Sequence, residues 1–101
     1  MKEKVSQGDI IKLDNLSNPV LILSKDFFNN SGMVIGCPIL KNSIQGPLHI
    51  KITGKITEGF AECERLRQLD LNARGYTIRD RIPMAEIINI TDAVQSIFDY
   101  V

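Results

Sequence analysis

The segment "CERLRQLD", residues 63–70, contains side chains that are suited to phosphate chemistry. Arg65 and Arg67 each carry a guanidinium group that can bind two oxygens of one phosphate, and Glu64 places a carboxylate beside them. Because residues two apart on a strand point to the same side, a strand here places both guanidinium groups on one face. The spacing therefore predicts a compact phosphate clamp next to a carboxylate.

His49 is the only histidine of the chain and lies in the stretch "PLHIKIT". Apolar and polar residues alternate there, which predicts a strand with His49 on its polar face. An imidazole has an ordinary pKa of about 6.5, so it can give or take a proton near neutral pH. His49 is therefore a candidate for proton transfer.

The stretch from residue 64 to residue 81 is the most positively charged part of the chain, with five arginines against three acidic residues. If the connection that carries Arg74 folds over the sheet, it forms the local positive track that single-stranded RNA requires. Lys41 follows an apolar run and can join this track. The plausible aromatic residues for base stacking are few, namely Phe27, Phe28 and Tyr76, and Phe27 or Phe28 is expected to lie in the core.

These charged residues also have a purely structural interpretation. Glu62 and Glu64 alternate with Arg65 and Arg67, so ion pairs between neighbours or across strands would occupy all four side chains. Exposed pairs of this kind are common and contribute little stability. A single histidine on a polar strand face is often simply solvated, and the arginines after residue 70 are often a solvated loop.

The composition limits the classes of protein that the chain can represent. Its 101 residues have room for a single domain, residues 1–101, with one core. Twelve Lys and Arg balance twelve Asp and Glu, so any anion site is a local patch. Cys37 and Cys63 lack the spacing of metal ligands, which predicts buried reduced thiols and no metal or cofactor. With no signal-peptide pattern and no apolar run of ~20 residues, a soluble cytoplasmic protein without membrane association is expected.

Five or six short strands followed by one helix account for most of the chain. "GDIIKLDNLSNP" is predicted to be a short strand that ends at a turn over residues 14–18, and the further predicted strands are "VLILS", "MVIGCPI", "PLHIKIT" and "FAECERLRQLD". "ARGYTIRDRIP" is predicted to be an irregular connection or a short strand pair. "PMAEIINITDAVQSIFDYV" has Pro83 near a helix start and apolar residues at helical spacing, with Ile90 and Thr91 weakening its centre. The sequence predicts a mainly β fold, a small curved antiparallel barrel, closed or half-open, with a C-terminal α-helix.

The order of several segments resembles the MazF/PemK (Kid) family, the toxins of bacterial toxin–antitoxin modules. The segments are "GDII", "NPVLILSKDFFNNSGMVIGCPI", "PLHI" and "CERLRQLDLNARG", and they span nearly the whole chain. The resemblance implies an SH3-like, CcdB-like barrel with a long C-terminal helix, usually a homodimer. It also implies a cognate antitoxin that masks the groove.

The resemblance further implies metal-independent cleavage of single-stranded mRNA. Attack by a 2′-hydroxyl needs a base, positive charge for the phosphorane and an acid for the leaving oxygen. Glu64 stands at the family's Asp position and Arg67 at its Arg position, whereas Arg65 replaces the usual Gln. The predicted catalytic residues are Glu64, Arg67 and His49. The residues predicted to contact nucleic acid are Arg65, Lys41, Arg74 and Asn18.

Two departures remove reactive groups from the family's pattern. Asn18-Pro19 stands where the family has Arg-Pro, and Leu40 stands where the family has a Thr after Pro38. The resemblance implies that the missing arginine and threonine contact the scissile phosphate. The loop between the first two strands is also cut to "NLS".

Two alternatives to an active ribonuclease therefore remain open. The first is a catalytically weakened or inactive relative that binds RNA, DNA or a protein partner. The second is a CcdB-like poison of a topoisomerase, acting through the terminal "IFDYV" with Phe98, Tyr100 and Val101 exposed. Packing of these three residues onto the barrel or a second copy is the structural alternative.

Overall fold

The protein, described by a computed structural model for residues 4–99, is a curled antiparallel half-barrel with a C-terminal helix. The elements are β1 (Asp9–Leu13), β2 (Val20–Ile22), α1 (Asp26–Asn29), β3 (Met33–Leu40), β4 (His49–Thr53), β5 (Glu58–Glu62), β6 (Arg67–Asp70), β7 (Tyr76–Arg81) and α2 (Met84–Phe98). Within the described residues the strand order is β4-β5-β3-β2-β1-β7, and β6 pairs with β3. The predicted mainly β fold with a C-terminal helix is confirmed.

The first two strands are apolar on both faces because each face meets a different hydrophobic cluster. Ile10 and Leu21 join the cluster that packs against α2, whereas their neighbours Ile11 and Val20 join a second cluster on the opposite face. All three residues of β2 are buried. The continuous run "VLI" is thus explained by a strand that is covered on both sides.

Strand β3 is the structural centre of the sheet. Its first four residues pair with β6, residues 36–38 pair with β2, and its last two pair with β5. Gly36 is required at the point of closest approach, because a Cβ there would collide with the main-chain carbonyl oxygen of Leu21. One eight-residue strand therefore connects both halves of the curled sheet.

The prediction of one strand over "FAECERLRQLD" is wrong. Strand β5 ends at Glu62, residues 63–66 leave the sheet, and β6 begins at Arg67. On β3, Ile39 pairs with Ala61 and Gly36 pairs with Arg67. Only two residues of β3 lie between these pairs, whereas the facing chain has five, residues 62–66. The extra residues loop out, and Pro38 has no N–H with which to continue the ladder.

Two further local predictions are also wrong. Residues 76–81 are neither an irregular connection nor a short strand pair but a single strand, β7, which pairs with β1 from Asp9↔Arg81 to Leu13↔Tyr76. Phe27 is not in the core: it lies on the short helix α1 and is 81% exposed, while Phe28 is half-buried. The helix places Phe27 outward because the buried residue of that turn is Asn29, whose amide donates to the carbonyl oxygen of Ser24 at 2.9 Å.

Helix α2 packs on the barrel through Ile87 and Ile90, which are 3% and 0% exposed. Ile90, expected from its type to weaken the helix, is instead its most buried anchor. Phe98 is 69% exposed, and Tyr100 and Val101 of the terminal segment lie outside the described residues. Neither helix within residues 4–99 has the length and apolar character needed to cross a membrane.

Side chains join the two ends of the strand order, β4 and β7. The carboxylate of Asp80 on β7 accepts hydrogen bonds from the backbone N–H groups of Lys55, Ile56 and Thr57, at 3.0, 2.9 and 2.9 Å. Burial alone would raise the pKa of Asp80. Hydrogen bonds from the backbone N–H groups of Ile56, Arg81 and Lys55, and from the side chain of Thr57, lower it to about 2. The loop between β4 and β5 is thereby held against β7.

Candidate nucleic-acid interface

Two adjoining hollows on one side of the sheet form a groove, and both include Ser17, Asn18 and Leu40 in their walls. The first hollow has a volume of about 570 Å³ and the second about 440 Å³. The first is bordered by the β4–β5 loop, and the second by the excursion at residues 63–66. The two positions where family residues are replaced, Asn18 and Leu40, therefore lie at the junction of the hollows.

Five cationic residues line this groove. Arg65 and Arg67 lie in the second hollow, and Lys12, Lys41 and Arg79 lie in the first. The ammonium group of Lys12 donates to the carbonyl oxygens of Leu13 and Leu16, so its charge is partly directed to the backbone. Five of the twelve Lys and Arg residues of the chain thus line one elongated surface, together with the carboxylates of Glu58 and Glu62.

A buried carboxylate, Glu62, lies in the wall of the first hollow. Its side chain is 9% exposed, and its Oε2 accepts a hydrogen bond from the Ser43 hydroxyl at 2.8 Å. Its Oε1 lies 3.1 Å from Nε of Arg65, which is within ion-pair distance. The orientation leaves Oε1 without a hydrogen bond from any described residue, so the contact with Arg65 is mainly electrostatic.

His49 and Glu64 form a close pair beside the groove. Nε2 of His49 lies 2.7 Å from Oε2 of Glu64, and Nδ1 lies 2.7 Å from the carbonyl oxygen of Ile44. The hydrogen bond to Glu64, and then that to Ile44, raises the pKa of His49, and the bond to His49 lowers the pKa of Glu64. Both ring nitrogens thus face oxygen acceptors, an arrangement that favours the protonated form of His49 beside the Glu64 carboxylate.

The structure brings some of the predicted site residues together. Arg65 and Arg67 both line the second hollow, but not because they share a strand face: Arg65 lies in the excursion and Arg67 begins β6. His49 and Glu64 contact each other but line neither hollow; Ser43 connects them to the first, with its Oγ 3.1 Å from Nδ1 of His49.

The remaining predicted contacts divide into two groups. Lys41 and Asn18 line the groove. Arg74 is exposed in the connection between β6 and β7 and lines neither hollow. The loop that was expected to fold over the sheet therefore does not contribute Arg74 to this surface.

Several polar groove residues were not singled out as site residues from the sequence, and four of them matter most to the geometry. They are Lys12, Ser43, Glu62 and Arg79. The signal for Arg79 was present in β7, where exposed residues alternate with half-buried ones. The signal for Glu62 is a charged residue between Ala61 and Cys63, both of which are fully buried.

The two cysteines are free thiols in the core cluster that packs against α2, and Cys37 also belongs to the wall of the second hollow. Burial raises the pKa of Cys63 to about 11 and raises that of Cys37 still further. Thiols in such surroundings are inert, since reaction requires the thiolate. Residues 4–99 contain no group of three or more His, Cys, Asp or Glu side chains arranged to hold a metal ion.

The half-barrel with its terminal helix is the fold of solved MazF structures. A chain in the crystal structure of MazE-MazF (Form-I) from Deinococcus radiodurans aligns with a TM-score of 0.86 at 19% identity, covering 96% of this chain and 98% of that one. An endoribonuclease from Mycobacterial species aligns with a TM-score of 0.82 at 16% identity, covering 97% and 94%. An endoribonuclease in complex with its cognate antitoxin, also from Mycobacterial species, gives 0.81 at 15% identity, covering 93% and 94%.

The family itself is identified from the sequence. The family model of the PemK-like, MazF-like toxins of type II toxin–antitoxin systems matches residues 7–98. The chain therefore belongs to this toxin family. No curated protein sequence matches it significantly.

Proposed function

We propose that this protein is the toxin of a type II toxin–antitoxin module and cleaves single-stranded RNA without a metal ion. The observation that carries the proposal is the groove with five cationic residues beside a histidine–carboxylate pair at 2.7 Å. Family membership and the fold shared with Mycobacterial endoribonucleases support it. The RNA backbone lies along the groove, where Arg65 and Arg67 contact a phosphate.

The proposed reaction is an attack of a ribose 2′-hydroxyl on the adjacent phosphorus. Glu64 takes the hydroxyl proton as the 2′-oxygen bonds to phosphorus, and Arg67 with Arg65 stabilises the charge on the phosphorane. The bond to the 5′-oxygen breaks as His49 donates a proton to it. The products are a 2′,3′-cyclic phosphate and a 5′-hydroxyl end. RNA entering the groove competes with Glu64 for the proton on Nε2 of His49.

The proposed partners follow from the family and from the charge of the groove. A cognate antitoxin with an acidic segment would cover the same cations that bind RNA and so block the reaction. We also propose that the protein is a homodimer, as the resemblance implies, and that it acts in the cytoplasm on mRNA.

Purified protein incubated with a long single-stranded RNA in EDTA tests this function. The wild type is expected to give discrete fragments, and Arg67→Gln is expected to lower the rate by about 10²–10³, because it removes a donor to the developing charge. Lys25→Gln, which changes an exposed cation outside the groove, is the matched control and should cleave normally. Intact RNA at protein concentrations where a MazF relative cuts would refute ribonuclease activity.

The second candidate function is binding of nucleic acid without cleavage. Asn18 and Leu40 favour it, because they lie where the two hollows meet and supply neither a cation nor a hydroxyl there. Measurable RNA affinity with no turnover, unaffected by Glu64→Gln, is the outcome that separates this function from the first.

A further inference from the structure

We propose that Glu62 is a positioning residue that holds Arg65 so that the terminal nitrogens of its guanidinium group bind an RNA phosphate. The inference rests on the RNA binding proposed above and adds a residue to that site. Glu62 lines the first hollow and Arg65 lines the second, so the contact between them crosses the middle of the groove.

The geometry of the contact leaves the phosphate-binding end of Arg65 available. The Nε of Arg65 lies 3.1 Å from Oε1 of Glu62, and a guanidinium carries four further N–H donors on its two terminal nitrogens. The backbone N–H of Arg65 also donates to the carbonyl oxygen of Glu62 at 3.0 Å. Both the main chain and the side chain of Arg65 thus contact one residue, while 65% of its side chain stays exposed.

The surroundings of Glu62 fix it in turn. Its side chain is 9% exposed and also accepts the hydroxyl of Ser43, which belongs to the loop after β3. A buried carboxylate is costly unless it has a cation or donors close by. Glu62 therefore links the loop after β3 to the excursion at residues 63–66, and it carries Arg65 on a rigid support.

Because Glu62 is negatively charged, the inference can be tested by whether neutralising it strengthens or weakens RNA binding. A carboxylate in a groove that binds a polyanion repels the ligand, so removing a negative charge should strengthen RNA binding if charge is its only influence. If Glu62 positions Arg65, neutralising it should weaken binding instead. Glu58 provides the comparison, since it lines the same hollow and its side chain is exposed.

The experiment measures the affinity of each variant for a 2′-O-methyl oligoribonucleotide, which binds but cannot be cleaved, by fluorescence anisotropy. Glu62→Gln is expected to bind about tenfold more weakly, because a charge-assisted phosphate contact is no longer held in place. Glu58→Gln is expected to bind more tightly than the wild type. Equal tightening by both substitutions would overturn the inference.

A double substitution establishes whether Glu62 acts through Arg65. In an Arg65→Gln background, Glu62→Gln is expected to lose its weakening effect, whereas an unchanged tenfold loss would show a general disturbance and overturn the inference. Arg65→Lys decides the matter if Glu62→Gln fails to fold. Lysine keeps the charge but has a single nitrogen, so it cannot contact Glu62 with one nitrogen and the phosphate with others. Binding about tenfold weaker than that of the wild type is therefore expected. Binding equal to that of the wild type would overturn the inference.

This assay fails differently from the test of the proposed function. Coupling between Glu62 and Arg65 in a protein that binds RNA but never cleaves it would support the inference and refute the nuclease. Cleavage without such coupling would support the nuclease and overturn the inference about Glu62. A wild-type protein that binds no RNA would overturn both.

Discussion

The predicted site residues differ in how directly the structure connects them to the groove. Arg65 and Arg67 line the second hollow, whereas His49 and Glu64 form their own ion pair and reach the groove through Ser43. The pair gives His49 a proton to donate, but it also makes Glu64 a weaker base than a free carboxylate, because its pKa is lowered. The pKa of His49 is therefore the quantity to measure.

The pKa of His49 is expected to lie above its ordinary value because of its contact with Glu64. Its pKa is raised above its ordinary 6.5, so its contribution to stability is present below pH 6.5 and is lost as pH rises through the raised pKa. The lowered pKa of Glu64 gives a contribution that is present above pH 4.5 and is lost as pH falls through that pKa. NMR should show a His49 midpoint above 6.5 that moves towards 6.5 in Glu64→Gln.

Glu58→Gln serves as the control for this titration and should leave the midpoint of His49 where it is in the wild type. A wild-type midpoint at or below 6.5 would mean that the pair does not exist in solution. Because the proposed acid needs its proton, the cleavage rate should also fall as pH rises through the raised pKa of His49.

The residue types proposed to contact phosphate could be chosen from the sequence, but the contacts that support them could not. The spacing of Arg65 and Arg67 predicted a shared strand face. Instead, Arg65 lies in the excursion between β5 and β6, Arg67 begins β6, and both line the second hollow. Glu62 was interpreted from the sequence as a partner in ion pairs, although it stands between two apolar residues, Ala61 and Cys63. Its burial depends on Ser43, nineteen residues away in the chain, and no local pattern contains that contact.

At the scale of elements, the groove depends on a loop that is held by one carboxylate. The β4–β5 loop contributes Ile56, Thr57 and Glu58 to the first hollow. Asp80 holds this loop against β7 through three backbone N–H groups. The wall of the groove is therefore fixed by an interaction between strands that are distant in the sheet order.

Asp80→Asn should loosen this loop. The depressed pKa of Asp80 contributes stability that is present above pH 3.8 and is lost as pH falls through about 2. Because the group is near the surface, the expected cost at pH 7 is about 1 kcal/mol, less than the full shift would give. Hydrogen exchange of the amides at residues 55–57 should accelerate, and Asp92→Asn on the exposed side of α2 should leave both quantities unchanged.

Strand positions were predictable where apolar residues are continuous or alternate, as in β2 and β4. They were not predictable where pairing overrides the pattern. Residues 76–81 contain three charged side chains, yet they form a strand because β1 offers a complete edge for pairing. Ile90 shows the same rule in α2, since complete burial outweighs its modest helix propensity.

At the scale of the whole molecule, a neutral chain with a local cationic groove is expected to bind RNA with a moderate dependence on salt. If all five groove cations neutralise phosphates, the slope of log K against log salt for a single strand should be about −3.5. Affinities measured over a series of KCl concentrations give this slope. A slope near zero would exclude the groove as the RNA-binding surface, and Lys25→Gln should not alter it.

The architecture as a whole was predictable because several independent signals agree. Short strands joined by tight turns, a terminal amphipathic segment and an ordered set of motifs all indicate a curled sheet with a helix, and family membership agrees with them. The groove could not be predicted to the same degree, because it is lined by residues from separate parts of the chain.

The way in which β3 is shared between β5 and β6 also suggests how such a protein can diversify. The ladders on either side of the excursion are each fixed by pairing with β3, so inserting or deleting a residue at its exposed positions 64 and 65 leaves both registers intact. Such a change would alter the separation between Arg65 and Arg67 and hence the phosphate spacing they match. Substrate choice can thereby evolve at a single surface segment while the scaffold keeps its stability.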